Sequence, residues 1–203
     1  MSELEIINCE QNSPEWSLAR AGIVTASCFK DVMAKGQGKM RRNYLLRIVG
    51  ERLSGQPFES YYNRDMERGH ALEDDARDEY CIETGHVVER IGFMRRGEVG
   101  YSPDALIGDD GLLEIKTKDY HLHLECILEN RVPPEHMKQL QGGLWVSARQ
   151  WIDFCSYSPG LTSFIQRVYR DETMIARIKV EVEEFLADVH KTIEQVKGYK
   201  RAA

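Results

Sequence analysis

The sequence predicts an α+β fold, with helices first, then short strands, a helix, a strand hairpin and a long closing helix. Three observations carry that expectation. Hydrophobic residues make up 42% and charged residues 30% of the 203 residues, the composition of a chain that buries a core rather than staying disordered. Helix start and stop signals crowd the first 85 residues, whereas residues 86–117 hold short β-branched and aromatic runs parted by Gly and Asp. The last segment repeats apolar residues at steps of three and four, the spacing of one helix face.

Ser13-Pro14 supplies an N-cap and a first-turn proline for a helix over residues 15–20. A second start at Thr25 leads into a helix over 27–33, which Gly36 and Gly38 interrupt. Helix resumes over 40–53, stops at Gly55-Gln56-Pro57, and returns over 64–83 with Gly85 as its C-terminal stop. Residues 86–94, 99–107 and 112–117 read as three hairpin-connected strands, joined by Arg96-Gly97-Glu98 and Gly108-Asp109-Asp110-Gly111. Pro133-Pro134 opens a helix that runs to Val146, and strands over 150–157 and 163–170 follow, joined by Ser158-Pro159-Gly160. Over 173–196, Ile175, Ile178, Val182, Phe185, Val189, Ile193 and Val196 form the apolar stripe of one amphipathic helix, expected to pack on the sheet.

A chain of this length is expected to form a single domain over residues 1–203. No apolar run approaches the roughly 18 to 20 residues that span a bilayer, and the N-terminus lacks a basic-then-apolar leader. A cytoplasmic protein with no membrane partner is the expectation. The five cysteines are scattered without a C-x-x-C pair and read as reduced, packed thiols, and His121-x-His123 reads as the decoration of a loop or helix end.

The net charge of −6 argues at first against a polyanionic partner. From Arg20 to Arg47, however, seven basic residues meet one acid, so that stretch carries +6 and the remainder −12. A local phosphate-binding face on an acidic body is therefore allowed.

The chemistry concentrates in Ser102-Pro-Asp104 and Glu114-Ile-Lys116. A turn centred near Asp109 sets Asp104 opposite Glu114 across an antiparallel pair, with Cβ atoms roughly 4.5 to 5.5 Å apart on one face. Strand alternation puts Lys116 on that face and Leu113 and Ile115 on the other. Converging carboxylates, with the Ile115 carbonyl as a further oxygen, suit Mg²⁺ or Mn²⁺, and a neighbouring Lys can orient a bound water and offset charge on a phosphorane-like transition state. The same acids and lysine also occur on ordinary solvated strand faces, but Leu112-Leu113-Glu-Ile-Lys is a half-buried context in which unpaired charge is costly.

Around these residues the chain resembles the lambda-type exonucleases, also known as YqaJ-like viral recombinases or phage-type alkaline exonucleases, of the PD-(D/E)xK nuclease superfamily. Five motifs occur in the family's order: W-x3-R-x-G-x-x-T-A-S from Trp16 to Ser27, G-x3-E-x-x-A from Gly69 to Ala76, Ser102-Pro-Asp104, Glu114-Ile-Lys116, and Gln139-Leu-Gln141 followed by Trp145. The resemblance implies a restriction-endonuclease-like core, a central mixed sheet flanked by helices, behind an N-terminal helical region. It further implies that Asp104, Glu114 and the Ile115 carbonyl bind two Mg²⁺ ions, with Mn²⁺ a substitute, and that Lys116 positions the nucleophilic water. Glu73 and Gln139 would support the site, and Arg20, Ser27 and Ser102 would form a pocket for a terminal 5′-phosphate. Lys35, Lys39, Arg41 and Arg42 are candidate contacts to the duplex backbone, and Trp16 reads as core.

The implied activity is 5′-to-3′ degradation of linear double-stranded DNA to mononucleotides, leaving a 3′ overhang. It would serve phage-type recombination in a bacterial host beside a single-strand annealing protein, from a ring-shaped homotrimer. Rival readings are a site-specific endonuclease or junction resolvase of the same superfamily, and a catalytically idle DNA-binding module.

Overall fold

The computed structural model describes residues 3–34, 39–58 and 64–199, with the backbone alone for 64–70. The elements in chain order are β1 (Leu4–Ile7), α1 (Pro14–Arg20), β2 (Val24–Thr25), a 3-10 turn (Ala26–Cys28), α2 (Phe29–Val32), α3 (Lys39–Ser54), α4 (Arg64–Thr84), β3 (Val88–Glu89), β4 (Phe93–Arg96), β5 (Val99–Tyr101), β6 (Ala105–Ile107), β7 (Gly111–Thr117), α5 (Tyr120–Glu129), α6 (Pro134–Ser147), β8 (Trp151–Tyr157), β9 (Phe164–Tyr169) and α7 (Glu172–Lys197).

Two mixed sheets organise these elements. The larger has the order β3-β6-β7-β8-β9, with β7 and β8 parallel and the other pairs antiparallel. The smaller has the order β1-β4-β5-β2 and is closed by the parallel pair β2 and β5. Side-chain alternation on β7 explains the layering. Leu112 joins a core built with α3, α6 and α7, whereas Leu113 and Ile115 join a second core with Ala76 and Tyr80 of α4. The closing helix buries Ile175, Ile178, Val182, Phe185, Val189 and Ile193, as its period predicts, but Val196 at its end is exposed.

Five expectations need correction. Residues 86–117 are not one three-stranded meander but five strands shared between the two sheets, because residues 90–92 interrupt the first run and Ser102-Pro103 the middle one, and the chain changes sheet at each. The N-terminal region is not purely helical. The strand β1 pairs with β4 at a sheet edge, and its half-exposed, four-residue pattern gives no clear alternation. The helix expected over 27–33 is a 3-10 turn followed by only four α-helical residues, and Thr25 makes no capping bond there. Finally, α5 has no counterpart in the expectation, because its exposed side carries Tyr120, Leu122, Leu124 and Leu128 and hides the period. His123 lies inside this helix, fully buried between Ser156 Oγ (2.9 Å) and the Thr162 carbonyl (3.1 Å), so it ties α5 to the sheet rather than decorating a loop.

Two glycines bring α6 close to the site. A Cβ on Gly142 would meet the Phe29 ring at 2.4 Å, and one on Gly143 the Tyr101 ring at 2.7 Å. That close approach sets Gln139, one turn earlier, beside β7. No described helix is long and apolar enough to cross a membrane. All five cysteines are free, with Cys126 and Cys155 buried.

Candidate active site

The register of β6 and β7 pairs Ala105 with Leu113, which sets Asp104 across from Glu114 as the sequence predicts, and the Asp104 N–H donates to the Leu113 carbonyl at 3.1 Å. Glu114, 2% exposed, is held from three sides. The Tyr101 hydroxyl donates to Oε2 at 2.6 Å, Lys116 Nζ donates to Oε1 at 2.6 Å, and the Gln139 carboxamide donates to the same Oε1. Asp104 Oδ2 accepts the Ile115 N–H. Glu73 reaches the same cavity from α4, where it pairs with Arg77 one turn later at 2.5 Å.

The electrostatics are those of a crowded acid pair. Burial, then the charge of Glu114, pushes the Asp104 carboxyl well above its usual range. Burial opposes the Lys116 ammonium, but Glu114 and Asp104 outweigh it and hold its pKa above the ordinary lysine value. Among the described residues no three His, Cys, Asp or Glu side chains form a ready metal cluster. The donor set is therefore two carboxylates, with the Ile115 carbonyl a further oxygen on the same strand as Glu114. All three donors are oxygens, and a divalent cation would relieve the acid–acid repulsion that raises Asp104, so the residues fit a hard ion that keeps several waters.

Beside this pair lies a second constellation. The Arg20 guanidinium stacks on Trp16, 4.0 Å from the ring centroid, and donates to Ser102 Oγ at 2.9 Å. Trp16 Nε1 donates to the same hydroxyl at 3.0 Å and to the Gly92 carbonyl at 3.1 Å. Trp16 is thus a half-buried wall of the site, not the core residue expected. Ser27 Oγ lies 3.2 Å from Thr25 Oγ1. Burial lowers the Arg20 pKa to about 10, outweighing the opposing Cys28 and Tyr44, and Arg47's charge adds a smaller push in the same direction.

The structure brings Arg20, Ser27, Ser102, Glu73, Asp104, Glu114, Lys116 and Gln139 around one cavity of about 210 Å³. The basic run is less uniform. Lys39 and Arg42 are exposed on α3, Lys35 lies outside the described residues, and Arg41 is engaged by Asp188 of α7 at 2.9 Å instead of standing free. Sequence reasoning missed Tyr101 and Gln11. The Gln11 amide spends its N–H groups on the Ile91 and Pro103 carbonyls at 2.9 and 2.8 Å, bracing the residue before Asp104. A tyrosine inside a strand that leads to the acid pair was a usable signal, since a buried hydroxyl needs a partner; nothing local marked Gln11.

An acid–acid–lysine strand at the junction of two sheets, with a guanidinium-and-hydroxyl pocket beside it, defines a nuclease core of the PD-(D/E)xK kind. The chain belongs to the YqaJ-like viral recombinase domain family, whose model matches residues 15–150. The crystal structure of an alkaline exonuclease from Laribacter hongkongensis is 40% identical over 91% of this chain and 96% of that one, with a TM-score of 0.84. The same exonuclease in complex with dAMP gives 41% identity, the same coverage and the same TM-score. A phage related exonuclease from Haemophilus somnus 129PT, at 14% identity over 86% of this chain and 96% of that one, has a TM-score of 0.70 and bears on the fold alone. No curated protein matches the chain.

Proposed function

We propose that the chain is a divalent-metal-dependent exonuclease that degrades linear double-stranded DNA from 5′-phosphorylated ends, releasing mononucleotides and leaving a 3′ overhang. The observation that carries this reading is that the Arg20 pocket and the Asp104–Glu114 pair open on one cavity, with Ser102 and Asp104 only two positions apart. A grip on a terminal phosphate next to a hydrolytic centre is what trimming from an end requires.

Arg20 donates to the terminal phosphate, and the hydroxyls of Ser27 and Ser102 complete its shell. Asp104, Glu114 and the Ile115 carbonyl hold two Mg²⁺ ions, or Mn²⁺ in their place, which supply an activated water and charge compensation at the scissile phosphate. Lys116 Nζ orients the water, and Gln139 and Tyr101 keep Glu114 aimed at the centre. Glu73 supports the site from α4. Lys39 and Arg42, with Lys35 beside them in sequence and Arg41 behind, meet the duplex backbone. The enzyme is a homotrimer enclosing the duplex, works in the cytoplasm of a bacterial host, and hands its overhang to a single-strand annealing protein during phage-type recombination.

The test is digestion of a linear duplex labelled at either end, with closed circular DNA as control. Loss of the 5′ label as mononucleotide in Mg²⁺, none in EDTA and no cutting of circles are expected, and Asp104→Asn should abolish the reaction without unfolding the protein. Cutting of circles would favour the endonuclease reading. Light scattering should give a mass near three times 23.4 kDa.

A further inference from the structure

Behind Arg20 lies a second, larger cavity of about 400 Å³, which Trp16, Arg20, Thr25 and Ser27 share with Tyr44, Arg47 and Phe58. It opens on α3, where Tyr44, Arg47 and Glu51 recur at steps of three and four and so share a face. Glu51 is 5% exposed and accepts three donors: the Gly22 N–H at 2.8 Å, the Phe58 N–H at 3.1 Å and Arg47 Nε at 3.0 Å. The Arg47 guanidinium is therefore held by one nitrogen and rests 5.5 Å from the Phe58 ring centroid. Its Nη1 and Nη2 make no hydrogen bond among the described residues, and the side chain is 40% exposed.

A guanidinium that Glu51 holds at one nitrogen, and that lines a cavity Arg20 also lines, is an arrangement for an anion. Folding gains nothing from setting two guanidinium groups in one cavity, where the Arg47 charge adds to the effect of burial on Arg20. We propose that Arg47 is the second cation of the terminal-phosphate pocket and makes it selective for a phosphate monoester over a diester. The inference rests on the reading of the Arg20 pocket given under Proposed function. A monoester carries about −1.5 to −2 charges at neutral pH, and an internal diester carries one. Arg20 alone matches a diester, whereas Arg20 and Arg47 together match the dianion that exists only at an end.

The experiment compares kcat/KM for duplexes bearing a 5′-phosphate or a 5′-hydroxyl, in the wild type, Arg47→Gln and Arg47→Lys. Gln keeps a donor for Glu51 and removes the charge, while Lys keeps a charge. Loss of one charge-assisted contact from a half-exposed side chain should lower the phosphate-to-hydroxyl ratio by roughly tenfold in Arg47→Gln, with partial recovery in Arg47→Lys. In EDTA, dAMP should also compete less well against a 5′-hydroxyl duplex for binding to Arg47→Gln than to the wild type, whereas deoxyadenosine should not distinguish the proteins. Thermal melting reports whether either variant is unfolded. A wild type that prefers the phosphate, together with an unchanged ratio in folded Arg47→Gln, overturns the role of Arg47 and leaves the pocket standing. A wild type without preference overturns both.

Discussion

Replacing Tyr101 by Phe removes one oxygen and keeps a ring that is 2% exposed, so no cavity opens and the change falls on the hydrogen bond alone. That bond is 2.6 Å long and ends on Glu114, itself 2% exposed and ion-paired with Lys116. Hydrogen bonds to charged groups contribute about 1.5 to 3 kcal/mol, and a buried acceptor that loses its donor also keeps its desolvation cost. Glu114 retains Lys116 and Gln139 on its other oxygen, so the expected loss for Tyr101→Phe is about 2 kcal/mol. In a Glu114→Gln background the same hydroxyl meets a neutral amide, where it contributes only about 0.5 to 1.5 kcal/mol. The two substitutions should therefore couple by about 1 kcal/mol. Urea unfolding of the wild type, both single variants and the double variant, all in EDTA, measures the cycle. A loss under about 0.5 kcal/mol for Tyr101→Phe, or additivity within the roughly 0.3 to 0.5 kcal/mol expected of independent sites, would show that Tyr101 does not hold Glu114.

Further outcomes follow from other parts of the molecule. His136 packs on Phe154 with ring centroids 5.3 Å apart and a buried Nε2 that has no partner among the described residues; burial, then the charges of Lys118 and Lys116, lowers its pKa to about 4. A folded-state pKa below the unfolded value of about 6.5 means that the unfolded chain binds the proton first. Stability is then complete above pH 6.5 and falls as the pH drops towards 4, and His136→Phe should flatten that dependence; parallel pH curves would refute it. Gly143→Ala gains about 1 kcal/mol in helix propensity but drives a Cβ to within 2.7 Å of Tyr101, and overpacking of that kind costs typically 1 to 3 kcal/mol, so a lower melting temperature is expected. Arg167→Ala leaves Asp153, 3% exposed, with only the Tyr80 hydroxyl among the described residues, and should destabilise by about 2 to 3 kcal/mol while nuclease activity is retained. An unchanged urea midpoint would contradict that account.

The parts legible in the sequence were those governed by local rules. Ser13-Pro14 caps α1 as read, with Ser13 Oγ accepting the Trp16 N–H at 3.1 Å, and Gly85, at φ 70°, ends α4. The facing of Asp104 and Glu114 follows from turn position and strand alternation, which are also local. What escaped depends on partners distant in sequence. The strand β1 exists because β4, almost ninety residues later, offers an edge. Arg41 reads as a free cation until Asp188 arrives from α7, 147 positions away. Tyr101 and Gln139 meet on Glu114 only after α6 has packed down through Gly142 and Gly143, and no spacing within either segment announces that meeting.

The crossing at Ser102-Pro103-Asp104 also acts as a length standard. Its first residue touches Arg20 from the smaller sheet, and its last belongs to the acid pair of the larger one. Extended chain advances about 3.3 Å per residue, so the two anchors stand roughly 7 Å apart along the backbone. Ser102 is held by Arg20 and Trp16, Asp104 by the Leu113 carbonyl and the Ile115 N–H, and Gln11 clamps the proline between them. Adding one residue at this crossing would stretch the interval by about half and turn Asp104 to the opposite face. Loops elsewhere on the surface can vary in length; this one cannot without changing the distance between the Arg20 pocket and the acid pair, which in the proposed reaction sets how far from a strand's end the cut would fall.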